Sequence, residues 1–260
     1  MTHQMVPFLK RLRLSGILQT LDVRNQQAID EQWTYVEFLA RLLEDEVERR
    51  AQKQLALRIR RASINTTKTL EGFDFAFNPH INRQQILDLA TCTYICQKRN
   101  VLLCGPTGVG KTHLAQALAH EACRRGYKAL FINTYKPALS EAEGMLQRIN
   151  GGRADGTLER RFQAFLKPHL LVLDDFGLKP LLPPGPEDLY DIINERYERG
   201  SILLTSNRAP EEWPELFGEP LLAAAGLDRL THQAQVVVIT GTSFRAHGPK
   251  KEVAIESMPS

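Results

Sequence analysis

The sequence has no long apolar run, few cysteines and little net charge. None of its 260 residues lies in a stretch near the 18 or so uninterrupted apolar residues that a membrane span needs. Four cysteines are too few for a disulfide framework, and the Cys92/Cys96 pair has no second pair to complete a zinc site. We therefore expect reduced thiols and no membrane segment.

The first residues also lack the long apolar core of a secretory signal, because Lys10, Arg11 and Arg13 follow a short apolar piece. We expect a cytoplasmic protein. A net charge of +3 argues only weakly for a polyanionic partner. The distribution of charge is more informative, because residues 49–70 contain no acid and carry a local group of bases: Arg49, Arg50, Lys53, Arg58, Arg60, Arg61 and Lys68.

The N-terminal part of the chain has helical periodicity. Apolar residues between Phe8 and Leu21 predict an amphipathic helix that is interrupted or bent near Gly16. A second helical pattern begins after Thr34 and continues as far as Ile59. We predict a small all-α domain over residues 1–66.

A different pattern follows, in which short apolar runs alternate with helical stretches. Residues 83–97 are predicted to be helical, and the first apolar run begins at residue 101. The five runs are Val101–Cys104, Ala129–Ile132, Leu170–Leu173, Ser201–Thr205 and Val236–Ile239. Buried strands of a parallel sheet flanked by helices have this pattern. We predict an α/β domain over residues 67–247 and a C-terminal tail over residues 248–260.

The stretch VLLCGPTGVGKTHLAQALA, residues 101–119, matches the phosphate-loop pattern GxxxxGK[ST]. Glycines let backbone N–H groups converge on phosphate oxygens, Lys111 would contact the β- and γ-phosphates, and Thr112 would offer a hydroxyl to Mg²⁺. The alternative is a glycine-rich turn, but the strand before it and the helix after it favour phosphate binding. The predicted nucleotide contacts are Gly105, Pro106, Thr107, Gly108, Val109, Gly110, Lys111, Thr112 and His113.

Polar residues follow two later runs. Asp174 would hold Mg²⁺ and Asp175 would polarise the attacking water, although an Asp-Asp-Phe-Gly turn is the alternative for that stretch alone. Asn207 would orient the water if its strand and the acidic strand flank the phosphate-loop strand. Arg229 and Arg245 are candidates for binding the γ-phosphate, with a surface ion pair as the alternative for each.

The order of these elements resembles that of the AAA+ ATPases. Longer stretches, among them RADGTLERRF, LLVLDDFGLKPL and the closing TGTSFR, resemble the IstB family of insertion-sequence transposition ATPases over residues 1–247. The resemblance implies an AAA+ P-loop NTPase fold of three layers, with a five-stranded parallel sheet after the helical N-terminal domain. It also implies an ATPase with ATP and Mg²⁺ as cofactors. In this family Asn207 would be the sensor 1 residue, Arg229 the arginine finger that completes a neighbour's ATP site, and Arg245 the sensor 2 residue.

The resemblance also implies partners. ATP-bound subunits would self-associate into an oligomer or filament on duplex DNA, largely independently of base sequence. They would then bend the DNA and recruit the transposase of the same element, with hydrolysis as the timing switch. Two basic groups are candidate DNA contacts, with a solvated helix face as the alternative for both. The first contains Arg49, Arg50, Lys53 and Arg58, and the second contains Lys136, Arg148, Arg153, Arg160 and Arg161.

Two other functions use the same phosphate loop. A DnaC-type helicase loader shares the ATPase core, and its N-terminal segment would hold a protein instead of DNA. A small-molecule kinase would need a substrate-binding insert and lid arginines, where this chain has sensor-like strand ends. Binding of duplex DNA by the ATP-loaded protein discriminates between the transposition ATPase and the helicase loader.

Overall fold

The computed structural model describes residues 2–135 and 144–247, so the predicted C-terminal tail lies outside the described residues. The chain divides into two compact units, Met1–Arg60 and Arg61–Ser260. None of the helices in the described ranges has both the length and the apolar character that crossing a membrane requires.

The first unit is built from α1 Thr2–Arg11, α2 Ser15–Asp30 and α3 Tyr35–Ala62, whose last residues belong to the second unit. The predicted interruption near Gly16 is confirmed, because the helix breaks at residues 12–14, where Arg13 has a φ of 57°. The start of α3 agrees with the predicted pattern. Thr34 and Glu37 cap each other, with the Thr34 N–H donating to Glu37 Oε2 (2.8 Å) and the Glu37 N–H to Thr34 Oγ1 (3.3 Å).

Gly16 itself lies within α2 and permits a close approach of α2 to α3. The buried Glu46 of α3 accepts hydrogen bonds through Oε2 from the N–H groups of Gly16 (2.6 Å) and Ile17 (3.4 Å). A Cβ atom on Gly16 would lie only 2.6 Å from the Cα of Glu46. The Glu46 carboxylate therefore satisfies the first turn of α2, where backbone N–H groups have no intrahelical partner.

The second unit contains a five-stranded parallel sheet in the order β2-β3-β4-β1-β5. The strands are β1 Val101–Cys104, β2 Ala129–Asn133, β3 Leu170–Phe176, β4 Ser201–Ser206 and β5 Gln235–Val238. The strand β4 lies between β3 and β1, so β3 and β4 do not flank β1. Every residue of β1 and β4 is buried, which explains the apolar runs that these strands contain.

Helices cover the sheet, and one predicted helix is divided. The predicted helix over residues 83–97 is separated into two pieces by Cys92, which has a φ of 61°. The helices of this unit are α4 Arg83–Ala90, α5 Thr93–Cys96, α6 Lys111–Arg124, α7 Met145–Ala154, α8 Leu158–Leu166, α9 Gly185–Arg196, α10 Pro214–Phe217, α11 Pro220–Thr231 and α12 Phe244–His247. Because all five strands are parallel, the loops that follow them meet at one edge of the sheet, called here the carboxyl edge.

Replacing Gly16 with Ala should destabilise the first unit by about 1–3 kcal/mol, because the new methyl group must displace the α3 backbone. Hydrogen exchange of the full chain should show lost protection in α2, with α6 unchanged. Gly226→Ala is the matched control, since a Cβ there would make an ordinary 3.5 Å contact with Tyr190. Equal protection of α2 in both variants would contradict the close-approach role of Gly16.

Candidate nucleotide site

The predicted phosphate loop connects β1 to α6 at the carboxyl edge. Gly110, with a φ of 99°, directly precedes the first residue of α6, and a Cβ on it would lie 2.9 Å from the Phe73 ring. Glycine is therefore required both by the backbone conformation and by the space available. The first N–H groups of α6 have no intrahelical partners, so this junction is suited to bind phosphate oxygens.

The side chain of Lys111 is held against the loop. Lys111 is 6% exposed, and its Nζ donates 2.7 Å hydrogen bonds to the carbonyl oxygens of Gly105 and Pro106. The Gly105 N–H in turn donates to the carbonyl of Ser206 at the end of β4 (3.1 Å). The lysine and the loop are thus positioned by the neighbouring strand.

A bulge in β3 brings Asp174 and Asp175 to the same site. The register of β3 against β4 shifts between Leu173 and Phe176, and Asp175 has a φ of 57°. In a regular strand, successive side chains point to opposite faces. An extra residue in a bulge redirects them, and aspartate is among the residues that tolerate the left-handed conformation. Both carboxylates can therefore contribute to the same site.

Asp174 is buried against two hydroxyl groups. Its Oδ1 accepts hydrogen bonds from Thr205 Oγ1 of β4 (2.6 Å) and from Thr112 Oγ1 of α6 (3.0 Å). Burial raises the pKa of Asp174, and the adjacent Asp175 charge raises it further, while the two hydroxyl groups oppose the shift. The ionised form of Asp174 is therefore disfavoured in the folded protein, and a nearby cation would stabilise it.

Asp175 is oriented from two neighbouring strands. Its N–H donates to Thr205 Oγ1 (3.0 Å), and its Oδ2 accepts from Asn133 Nδ2 at the end of β2 (3.2 Å). Asp175 lines a cavity of about 550 Å³, and so does Asn207 beyond β4. The structure therefore brings both predicted water-handling residues to one space.

The cavity is large enough for a nucleotide and has a polar and an aromatic side. Residues 107–113 of the phosphate loop line it, whereas Gly105 and Pro106 contribute the carbonyls that hold Lys111. The aromatic side contains Phe73, Phe77 and Phe244, and the last two meet edge to face with their centroids 4.8 Å apart. An apolar wall with a few convergent polar groups is typical of a small-molecule site.

Sequence reasoning missed several residues of this site. Asn133 ends β2 and Thr205 is the last residue but one of β4, so the same strand-end rule that selected Asn207 could have selected them. Phe73 and Lys68 precede the sheet by about 30 residues, and no local pattern links them to the phosphate loop. Only the folded chain brings them into the cavity.

Arg229 does not lie in this cavity. It is in α11, which leads into β5, and the first residue of β5, Gln235, pairs with Val101 at the start of β1. Arg229 is therefore near the opposite, amino edge of the sheet. There it donates to the Ala225 carbonyl (2.8 Å), lies over the Tyr190 ring and lines a second cavity of about 240 Å³.

The other predicted contacts are distributed over both units. Arg245 is in α12, but the side chain of Arg245 is outside the described part. The N–H of the neighbouring Phe244 donates to the Gly108 carbonyl (3.0 Å). Lys136 also lies outside the described residues.

In the first unit, Arg49 donates to Ser15 and Gln19, Arg50 pairs with Glu46, and Lys53 is exposed. Arg58 of α3 is half-buried.

Two arginines of the second basic group are held by acids of their own unit. Arg153 forms an ion pair with Asp188, and Arg161 forms one with Asp155. An ion pair within the unit, the alternative to a DNA contact, therefore accounts for each of these two side chains.

The sequence model of the family described as "IstB-like ATP binding protein" matches residues 8–252. The chain belongs to this family. The resemblance inferred from the motifs is therefore confirmed.

Relatives of this IstB-like chain come from insertion sequences of several bacteria. A Mycobacterium tuberculosis protein, named for ATP binding in an insertion sequence, is 40% identical over 91% of this chain and 92% of its own length. The corresponding protein of IS5376 from Geobacillus stearothermophilus is 34% identical over 94% of each chain. That of IS21 from Pseudomonas aeruginosa is 34% identical over 96% of this chain and 91% of its own.

Solved structures resemble the chain at the level of the fold. AMPPCP-bound DnaA from Aquifex aeolicus has a TM-score of 0.54 and 22% identity, covering 68% of this chain and 51% of its own. DnaI has a TM-score of 0.54 and 23% identity, with 66% and 90% covered. The DnaC helicase loader has a TM-score of 0.52 and 19% identity, with 67% and 97% covered. The predicted AAA+ fold with a five-stranded parallel sheet is confirmed.

The oxygen donors at the cavity fit a magnesium ion. Thr112 Oγ1 and the Asp174 carboxylate lie 3.0 Å apart beside the phosphate loop. Mg²⁺ is usually held by one or two protein oxygens together with phosphate oxygens and water. These two residues are the ones that would hold it.

Asp174→Asn should stabilise the nucleotide-free protein at alkaline pH. The folded-state pKa of Asp174 lies above its unfolded value, so the wild type loses stability as the pH rises through that raised pKa. The amide removes the charge and keeps an oxygen for both hydroxyl groups. We expect a melting temperature roughly 2–4 °C higher at pH 8, corresponding to about 1 kcal/mol, with no gain below about pH 4.

Melting curves between pH 4 and 8 measure this effect, with Asp155→Asn as the control. The pKa of Asp155 is lowered, first by the Thr157 hydroxyl, so its charged form stabilises the fold at high pH. Asp155→Asn should therefore lower the melting temperature at pH 8. A loss of stability in both variants would show that burial does not control Asp174.

Proposed function

We propose that the protein is an ATPase that acts as a DNA-bound switch in insertion-sequence transposition. ATP-bound subunits would assemble on duplex DNA, bend it and recruit the transposase of the same element in the cytoplasm, and hydrolysis would release the assembly. The observation that carries the ATPase part is the convergence of Lys111, Thr112, Asp175 and Asn207 on one cavity. The insertion-sequence origin of its relatives supports the biological setting.

Hydrolysis follows from the positions of these residues. A water oxygen attacks the γ-phosphorus, the Asp175 carboxylate accepts the water's proton, and Asn207 orients the water. The bond from the γ-phosphorus to the bridging oxygen breaks, and its electron pair remains on ADP. Lys111 would stabilise the charge on the phosphates, and Thr112 and Asp174 would hold a Mg²⁺ ion, which would supply further charge neutralisation.

Arg229 acts on the ATP of a neighbouring subunit. It lies near the amino edge of the sheet, and a four-residue strand separates that edge from the phosphate loop by about 13 Å. Arg229 is also absent from the residues that line the nucleotide cavity of its own chain within the described ranges. A head-to-tail assembly would place it against the next nucleotide, and open assemblies of this kind form filaments.

Arg229→Ala should bind ATP and lose hydrolysis, roughly a thousandfold as for other arginine fingers. Lys111→Ala should bind no ATP and also be inactive. Mixing the two should restore activity, because an Arg229→Ala subunit holds ATP and its Lys111→Ala neighbour supplies the arginine. In an equal mixture about one quarter of the head-to-tail interfaces combine both functions.

Phosphate release from the mixture, compared with each variant alone, measures this rescue. Mixing Arg229→Ala with the double variant Lys111→Ala/Arg229→Ala is the control and should restore nothing. A mixture as inactive as its components, at concentrations where the wild type assembles, would contradict an arginine supplied in trans.

Contact with DNA should depend on phosphate charge instead of base sequence. Bending a few tens of base pairs costs on the order of 1–10 kcal/mol, which several subunits can offset together. Among the predicted contacts, Lys53 is the best available, because it is exposed and forms no hydrogen bond or ion pair with any residue in the described ranges. Arg49 and Arg50 are engaged within the first unit, which makes them weaker candidates.

Asp175→Asn should trap the protein on duplex DNA. Asparagine tolerates the positive φ of this position, so the backbone is preserved while the base is lost. In mobility-shift assays with ATP, the wild type should release duplex DNA as ATP is consumed, whereas Asp175→Asn should stay bound. Lys111→Ala should show no ATP-dependent binding.

Equal release rates for the wild type and Asp175→Asn would contradict the switch. Failure of the ATP-loaded protein to bind duplex DNA, together with binding to a hexameric helicase, would instead support the helicase-loader function.

A further inference from the structure

The segment between α3 and the sheet lies along α6. This segment, residues 63–74, is called here the linker strap. The Asn65 N–H donates to Gln116 Oε1 (3.0 Å), and the Thr69 carbonyl lies 3.0 Å from His113 Nε2. Further along, Glu71 pairs with Arg124 at 2.6 Å. The strap is therefore attached at several points to the helix that begins at the phosphate loop.

These attachments place Lys68 at the nucleotide cavity. Lys68 is half-buried and lines the cavity together with Thr112 and Asp175. Its N–H donates to the Asn65 carbonyl (3.2 Å), so a turn of the strap holds the residue in place. The sequence alone assigns Lys68 only to a basic run that ends before the sheet, and no motif connects it with the phosphate loop.

Lys68 lines the same cavity as Thr112, whose hydroxyl group donates to Asp174. The Lys68 ammonium forms no hydrogen bond or ion pair with any residue in the described ranges. Lys111, in contrast, donates to two loop carbonyls. A lysine held beside a phosphate loop without a protein partner is suited to an anionic ligand.

We propose that Lys68 is a second phosphate-binding cation of this site and contacts the terminal phosphate of ATP. The proposal rests on the ATPase function above. Thr112 and Asp174 would hold the ion beside the terminal phosphate, and Lys68 lines the same cavity as Thr112. Lys68 would then distinguish ATP from ADP, because ADP has no group at that position.

The proposal also gives the strap a role in the switch. Lys68 follows the end of α3 by only six residues, so the γ-phosphate would be held by the chain segment that leads into the first unit. Hydrolysis and phosphate release remove the ligand of Lys68. The nucleotide state would thereby be communicated to the strap.

The test compares the affinities of the full chain for Mg·ATP and Mg·ADP by calorimetry. Lys68→Met keeps the aliphatic stem and removes the charge, and it should weaken ATP binding about tenfold while ADP changes less than about twofold. Lys68→Arg should keep most of the preference for ATP. Lys167→Ala removes an exposed lysine outside the cavity and should behave as the wild type. Melting curves without nucleotide confirm that each variant is folded.

The outcomes separate the proposal from the function on which it rests. If Lys111→Ala loses both nucleotides while Lys68→Met binds ATP and ADP with the wild-type ratio, Lys68 does not contact the terminal phosphate and the ATPase function stands. If the wild type binds neither nucleotide, the ATPase function and the role of Lys68 both fail.

Discussion

The two hydrogen bonds that Asp174 accepts connect the three elements on which the nucleotide site depends. Thr112 belongs to α6, Thr205 to β4 and Asp174 to β3, and each contributes from a different part of the chain. Thr205 also receives the N–H of Asp175, so one hydroxyl positions both carboxylates. The bulge makes this possible, because a regular strand would turn one of the two side chains away from the site.

This arrangement has a cost to the folded protein. Asp174 is a buried acid with a raised pKa, and Asp175 adopts a backbone conformation that costs on the order of 1 kcal/mol. The neighbouring strand β4 is fully buried, and its Thr205 hydroxyl group bonds both residues and so helps to hold the bulge in place. Such costs are typical of sites that bind a cation or a phosphate, because the bound ligand offsets them.

The nucleotide cavity is bounded by segments from before and after the sheet. The linker strap and Phe77 approach from the N-terminal side, and Phe244 of α12 approaches from the C-terminal side. Arg229 is at the other edge, facing away from its own nucleotide cavity. In the proposed function, one chain would carry most of an ATP site on one edge and an arginine for the neighbour's nucleotide on the other, and a head-to-tail assembly would join the two.

The sequence by itself determined what depends on neighbouring residues: the phosphate loop, the positions of the buried strands, the start of α3 after Thr34 and the family. Their signals are local, since hydrophobic runs, glycines and capping residues act over a few positions. Only the tertiary structure decided that Thr205, Asn133 and Lys68 belong to the site and that Gly16 is a point of close contact between α2 and α3. These assignments depend on strand order, a bulge and close packing between residues 30 or more positions apart, which no periodicity encodes.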